Sequence, residues 1–262
     1  MPLPIRKTAL AALICGALFV SHAAQAASVQ VYSNDFEVAA SVAGGVTAAI
    51  GGAGATEGTQ GYSAFGFGSN FLRNDTGGDP ASATTLTLSG LGAHTSISLG
   101  FLLAVIDSWD GTQGCGPDFF NVRLDGSSIF STDFANVRDG SCGPHSQSYG
   151  TANALLFPTN ANIDFSGSST SVGFSGWNDA AYDMALESLF QNVAHTGNTA
   201  TFEFFASGNG WQGFGDESWG IDNVQVTLNG VQGNNIPEPG SLALLGAAGL
   251  AGLGVRRRRQ KT

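Results

Sequence analysis

Three aspartates stand close together near the middle of the chain, Asp107, Asp110 and Asp118, with Gly111 placed to ease a turn between them. Carboxylates spaced along a loop are what a hard divalent cation takes, because calcium collects oxygens from carboxylates and backbone carbonyls. The spacing is not that of an EF-hand. The same residues also suit turn capping through Asx-type hydrogen bonds. A second chemistry is offered by Trp109, Trp177, Trp211 and Trp219, whose flat faces can stack on a sugar ring. Trp211 lies in Gly208-Asn209-Gly210-Trp211-Gln212-Gly213, a stretch that predicts a flexible loop and an exposed carbohydrate-binding platform. Trp219 alternates with strand residues and reads as core, while Trp109 fits either role.

Signatures of catalysis are missing. Neither HExxH nor Gly-x-Ser-x-Gly occurs. His94, His145 and His195 have no evident partners in the sequence. Glycoside hydrolysis would need two carboxylates across a cleft, and the adjacent Asp216 and Glu217 would point to opposite sides of a strand. The expectation is a protein without catalytic activity.

The elements that must position these residues read as strands. Short β-patterned runs fall at 28–32, 83–88, 95–106, 119–124, 154–157, 161–165, 171–174, 199–206 and 218–228, punctuated by Gly, Asn, Asp and Ser. In 201–205, Phe202 and Phe204 share one face and Glu203 takes the other, the pattern of a half-buried strand. In the last run Trp219 and Ile221 share one phase, whereas Val224, Val226 and Leu228 share the opposite one. A bulge near Asp222-Asn223 reconciles them. Residues 179–190 fit a short helix or a strand, and 44–68 read as a long loop or irregular edge. Many strands at regular turn spacing predict one all-β domain, an antiparallel β-sandwich over residues 27–235.

Both ends carry addresses. Arg6 and Lys7, the apolar stretch 9–20 and Ala24-Gln25-Ala26 form the three parts of a cleavable secretory signal, residues 1–26. At the other end, Pro237-Glu238-Pro239 precedes the apolar residues 241–255, which read as a short hydrophobic helix, and then Arg256, Arg257, Arg258 and Arg259. Basic residues beyond an apolar stretch follow the positive-inside rule. The stretch is short against the roughly 20 residues that span hydrocarbon, which argues against a permanent anchor. The order of these three elements resembles the PEP-CTERM sorting signal. That resemblance implies recognition by an exosortase, transient inner-membrane insertion, and removal of the tail. It also implies delivery to the envelope or exopolysaccharide-associated matrix of a Gram-negative bacterium.

Three phrases resemble those of PEP-CTERM proteins whose domains are similar to lectin or carbohydrate-binding jelly rolls. They are Asn34-Asp35-Phe36-Glu37, Ile106-Asp107-Ser108-Trp109-Asp110-Gly111, and Asp216-Glu217-Ser218-Trp219-Gly220-Ile221-Asp222-Asn223-Val224. In such jelly rolls the first and last strands lie side by side and often share a structural calcium. The resemblance therefore implies Ca2+ between Glu37 and Asp222, with Asp35 in reserve, and a glycan such as exopolysaccharide as partner.

Removing both ends leaves Cys115 and Cys142, each in a Gly-Pro setting, and an exported protein with two such cysteines is expected to join them. Closing that loop of about 28 residues would contribute ~3.5 kcal/mol in the chain-entropy model. Residues 27–235 hold three arginines, no lysine and nineteen acids, a net charge of −16. A field of that sign repels phosphate backbones and anionic lipids, which excludes nucleic acid as a partner.

Overall fold

The structure is a computed structural model that describes residues 27–112, 115–136, 147–156 and 179–231. The signal segment, the sorting tail, Cys142, His145, Trp177 and the expected strands at 161–165 and 171–174 lie outside the described residues. Among the described residues no helix is long and apolar enough to cross a membrane.

Two antiparallel sheets face each other. The first has β7 (Ser96–Asp107) and β14 (Glu217–Val231) at its centre. β1 (Ala27–Asn34) and β2 (Ser41–Val42) continue it on one side, and β11 (Ala180–Asp183) and β10 (Ala154–Leu156) on the other. β12 (Val193–Ala194) joins β7, while β5 (Asn70–Asn74) joins β14 and is itself paired with β4 (Ala55–Gly58). The second sheet runs β3 (Thr47–Gly52), β6 (Thr84–Ser89), β13 (Thr199–Ser207), β8 (Asp118–Leu124), β9 (Ser127–Phe134). The expected all-β antiparallel sandwich is what forms.

Alternation explains the packing. Ile97, Leu99, Phe101, Leu103 and Val105 of β7 turn to the main core, where they meet Phe202 and Phe204 of β13 and Phe120 and Val122 of β8. The other phase of β7, Ala104 and Ile106, is buried too. It lies under a cover made by the 3-10 segment Gln60–Phe65, the residues that follow it and β5, which contributes Tyr62, Phe67 and Phe71 to a second apolar cluster. The cover sits so close that a Cβ on Gly220 would come within 2.3 Å of the Phe71 ring.

The phase change in the last strand is a bulge. The register between β14 and β7 shifts between Asp222 and Gln225, and Asn223 takes a left-handed φ of 49°. β1 pairs with β14, so the first and last strands are neighbours. Two open readings are decided. Residues 44–68 take the edge alternative, supplying the edge strands β3 and β4 together with the 3-10 cover. Residues 179–190 form β11 followed by the 3-10 turns Met184–Leu186 and Ser188–Phe190. Asp183 and Glu187 cap the starts of those turns by accepting the N–H groups of Ala185 and Leu189, and extended backbone at Glu187 and Gln191 ends each after three residues.

Candidate functional site

Two groups of carboxylates converge, by different means. At the bulge, Asp222 Oδ2 accepts the Gly68 N–H at 2.7 Å and Oδ1 accepts the Asn223 N–H at 2.6 Å. Glu37 reaches the same 68–70 segment: Oε1 accepts the Asn70 N–H at 2.7 Å and Oε2 its side-chain amide at 3.1 Å. Asp35 accepts the Glu37 N–H at 3.2 Å in an Asx turn. Burial, opposed by those N–H donors and joined by the charges of Asp35 and Glu37, raises the Asp222 carboxyl above its ordinary range. The two acids thus meet one segment, as neighbouring first and last strands allow, and N–H donors already satisfy all four of their oxygens. Each of these oxygens has one N–H donor and keeps a second lone-pair direction, so the donors hold the two acids in place beside the bulge.

The second group is built differently. Asp118 opens β8, Glu217 opens β14, and Asp110 lies in the loop after β7. One oxygen from each lies within 4.8 Å of the others, and all three residues are buried. Asp118 Oδ2 accepts the Asp110 N–H. Glu217 Oε2 accepts the Gln212 N–H at 2.7 Å and, more weakly, that of Gly213 at 3.5 Å. Asp118 Oδ1 and Glu217 Oε1 are buried and have no hydrogen-bond partner. Burial first, then the neighbouring carboxylates, pushes both acids well above the ordinary range, Glu217 furthest.

Of the loop aspartates read from the sequence, Asp110 and Asp118 come together and Asp107 does not join them. Asp107 ends β7 in a left-handed conformation (φ 64°), and its N–H donates to Asp179 Oδ1 at 2.8 Å. Glu217 was not expected here, although its signal is present in the sequence. It shares the phase of Trp219 and Ile221, and an acid in a buried phase is a candidate ligand.

Trp211 is a further correction. It is 6% exposed, not an open platform. Its ring stands edge-on to Trp109 with centroids 4.9 Å apart, and its Nε1–H donates to the Thr76 carbonyl at 2.9 Å. The glycine-rich loop folds inward because the edge of Trp211 finds both an aromatic neighbour and an acceptor there. Trp219 is core as expected, and Trp109 is core too, its Nε1–H donating to the Ser218 carbonyl at 2.8 Å. An open cleft lies elsewhere on the described surface. It is a polar hollow of about 290 Å³ lined by residues that include Asn34, Asp35, Ser41, Asn223, Gln225 and the exposed Val38.

The structure also finds partners for two histidines. His94 Nε2 meets His195 Nδ1 at 2.7 Å, and His195 Nε2 meets Asp125 Oδ2 at 3.1 Å. Cys115 is disulfide-bonded, and its expected partner Cys142 lies outside the described residues.

Residues 235–259 match the PEP-CTERM protein-sorting motif, the mark of an exported, exosortase-dependent surface protein of a Gram-negative-type envelope. A comparison with curated proteins finds no match. Among solved structures, the chain is similar to the CBM22-1 xylan-binding domain from Paenibacillus barcinonensis, at 12% identity and a TM-score of 0.31, covering 79% of this chain and 97% of that one. It is also similar to a cycloisomaltooligosaccharide glucanotransferase from Paenibacillus sp., at 16% identity and a TM-score of 0.29, covering 70% of this chain. The chain spans only 17% of that enzyme's length. A third likeness is to a structure of infectious bursal disease virus, at 13% identity and a TM-score of 0.24, covering 77% of this chain and 36% of that one.

Proposed function

We propose that this chain is an exported matrix or outer-surface protein whose β-sandwich has a structural or glycan-contacting role and no catalytic one. The sorting motif at 235–259 carries this reading. On it, residues 1–26 direct export and are removed. The apolar stretch 241–255 then holds the chain briefly in the inner membrane, with Arg256 to Arg259 on the cytoplasmic side. The exosortase cuts near Pro237-Glu238-Pro239 and releases the sandwich, stapled by a Cys115–Cys142 disulfide, into an oxidising compartment.

The polar cleft between β1, β2 and the bulge of β14 is the surface proposed to meet exopolysaccharide. Its amide, hydroxyl and carboxylate groups suit sugar hydroxyls, and the exposed Val38 supplies an apolar patch. The absence of catalysis is supported by the position of Asp118 and Glu217. Among the described residues they are a converging pair of carboxylates, yet they are 0% and 1% exposed and offer no face to a sugar ring.

Fractionation of the producing cells tests the reading. The expected result is a mature product in the envelope and matrix that lacks both ends. Replacing Pro237-Glu238-Pro239 by alanines should leave the tail attached and the protein in the inner membrane. Correct release of that variant would overturn the sorting reading. A glycan array probed with the wild-type protein and with Asn34→Ala and Gln225→Ala tests the cleft, which fails if neither change affects a bound glycan.

A further inference from the structure

We propose that Asp118, Glu217 and Asp110 form a divalent-cation site that fastens the two sheets of the sandwich to one another. The inference stands on which oxygens have partners and is independent of the sorting reading. Each of the two fully buried acids is held by one oxygen: Asp118 Oδ2 by the Asp110 N–H, Glu217 Oε2 by the N–H groups of Gln212 and Gly213. Its second oxygen is thereby aimed into the cluster, and there Asp118 Oδ1 and Glu217 Oε1 have no protein partner. A buried carboxylate oxygen without a donor is costly unless it ligates a metal or shares a proton.

The dimensions fit an ion. Oxygen atoms within 4.8 Å of one another match the span of about 4.6–5.2 Å between opposite ligands at calcium bond lengths. Space is kept open by glycine. A Cβ on Gly210 would stand 2.7 Å from Asp118 Oδ1, and one on Gly116 would stand 2.6 Å from the Asp110 Cβ. A donor set made only of carboxylate oxygens selects calcium, magnesium or manganese over zinc or copper. Backbone carbonyls or water would complete the shell. The placement gives the ion a mechanical role, because Asp118 begins a strand of the second sheet and Glu217 begins a strand of the first. This pair differs from Glu37 and Asp222, whose four oxygens each have an N–H donor.

The neighbouring tryptophans supply a probe. Trp109 precedes Asp110 in the chain, and Trp211 precedes Gln212, whose N–H holds Glu217. Terbium in the site should therefore give tryptophan-sensitised emission from the purified full-length protein, and calcium should displace it. Calcium at 100 times its dissociation constant should also raise the melting temperature by about 5–10 °C over the protein in EDTA. Glu217→Gln and Asp118→Asn should abolish both responses. In EDTA they should melt no lower than wild type, which shows that they fold. Glu37→Gln should leave both responses intact. The proposal is overturned if wild type shows neither emission nor a calcium shift, the outcome expected if the two oxygens merely share a proton. It is equally overturned if Glu37→Gln, and not Glu217→Gln, removes the response.

Discussion

Replacing Trp211 separates a core residue from a binding platform. Its side chain is 6% exposed, so folding removes nearly all of a surface of about 150–250 Å² from water. At about 25 cal/mol per Å² that burial contributes ~4–6 kcal/mol, an upper figure because the unfolded chain already buries some of it. Large-to-small changes at buried aromatic positions cost about 3–5 kcal/mol, and Trp211→Ala should fall in that range. It also leaves Trp109 without its edge-on neighbour and the Thr76 carbonyl without its donor. Trp211→Phe should cost only about 1–2 kcal/mol, since it keeps the ring contact and loses mainly one buried hydrogen bond. Urea unfolding followed by circular dichroism measures both, at a fixed calcium concentration and with unchanged m-values as the check on two-state behaviour. A sugar platform would give the opposite pattern, with stability within about 0.5 kcal/mol of wild type, as at ordinary surface sites, and a lost ligand. A cost below about 1 kcal/mol for Trp211→Ala, well short of the buried-aromatic range, would refute the core assignment.

The other predictions are briefer. In EDTA, stability should fall as pH rises from about 4 to about 7, because the folded state raises the Asp118 carboxyl to about 7 and so binds a proton that the unfolded chain releases. Glu217→Gln combined with Asp118→Asn should flatten that slope in thermal scans taken across the range. Glu37→Ala should cost only about 0.5–1 kcal/mol, because its bonds to Asn70 are exposed and water can replace them, as read by denaturant titration. Gly220→Ala should cost at least about 1–3 kcal/mol, since the new methyl would overlap the Phe71 ring, and a neutral result would contradict the close packing of the cover. Mass spectrometry without reductant should find no free thiol in the mature protein, which lacks Cys15. Cys115→Ser should lower stability by ~3.5 kcal/mol if the closed loop is the expected one.

Where the sequence was legible, the physics was local. The inward residues of β13 and the opposed phases of β14 could be read directly, because alternation is a property of a single strand. β9 was missed, although Asp125-Gly126 before it is a two-residue turn with φ of 50° and 78° at its centre. What stayed hidden depended on distant pairing. β5 reads as polar, and it is a strand only because Arg73 is buried against Ser218 and Glu57 while Phe71 lies on Gly220. The aspartates of the central loop pointed to the right neighbourhood. Glu217 is 99 residues beyond Asp118 in the chain, and only the meeting of β8 and β14 at one end of the sandwich brings it there. Trp211 was misjudged because glycine neighbours imply exposure on average, whereas here they let the loop turn a bulky ring inward. His94 and His195, 101 residues apart, met for the same long-range reason.

Ala27 pairs with Val231, so the two ends of the described sandwich leave it side by side. β14 then runs 15 residues back to Glu217, a length of about 45 Å at 3.3 Å per residue. The body therefore has a near pole and a far pole. Whatever follows Val231 holds the near pole, and the aromatic and carboxylate loops around Trp109, Asp118 and Trp211 are carried at the far one. The two ends that the proposed processing would trim therefore leave the sandwich together, at the pole opposite those loops.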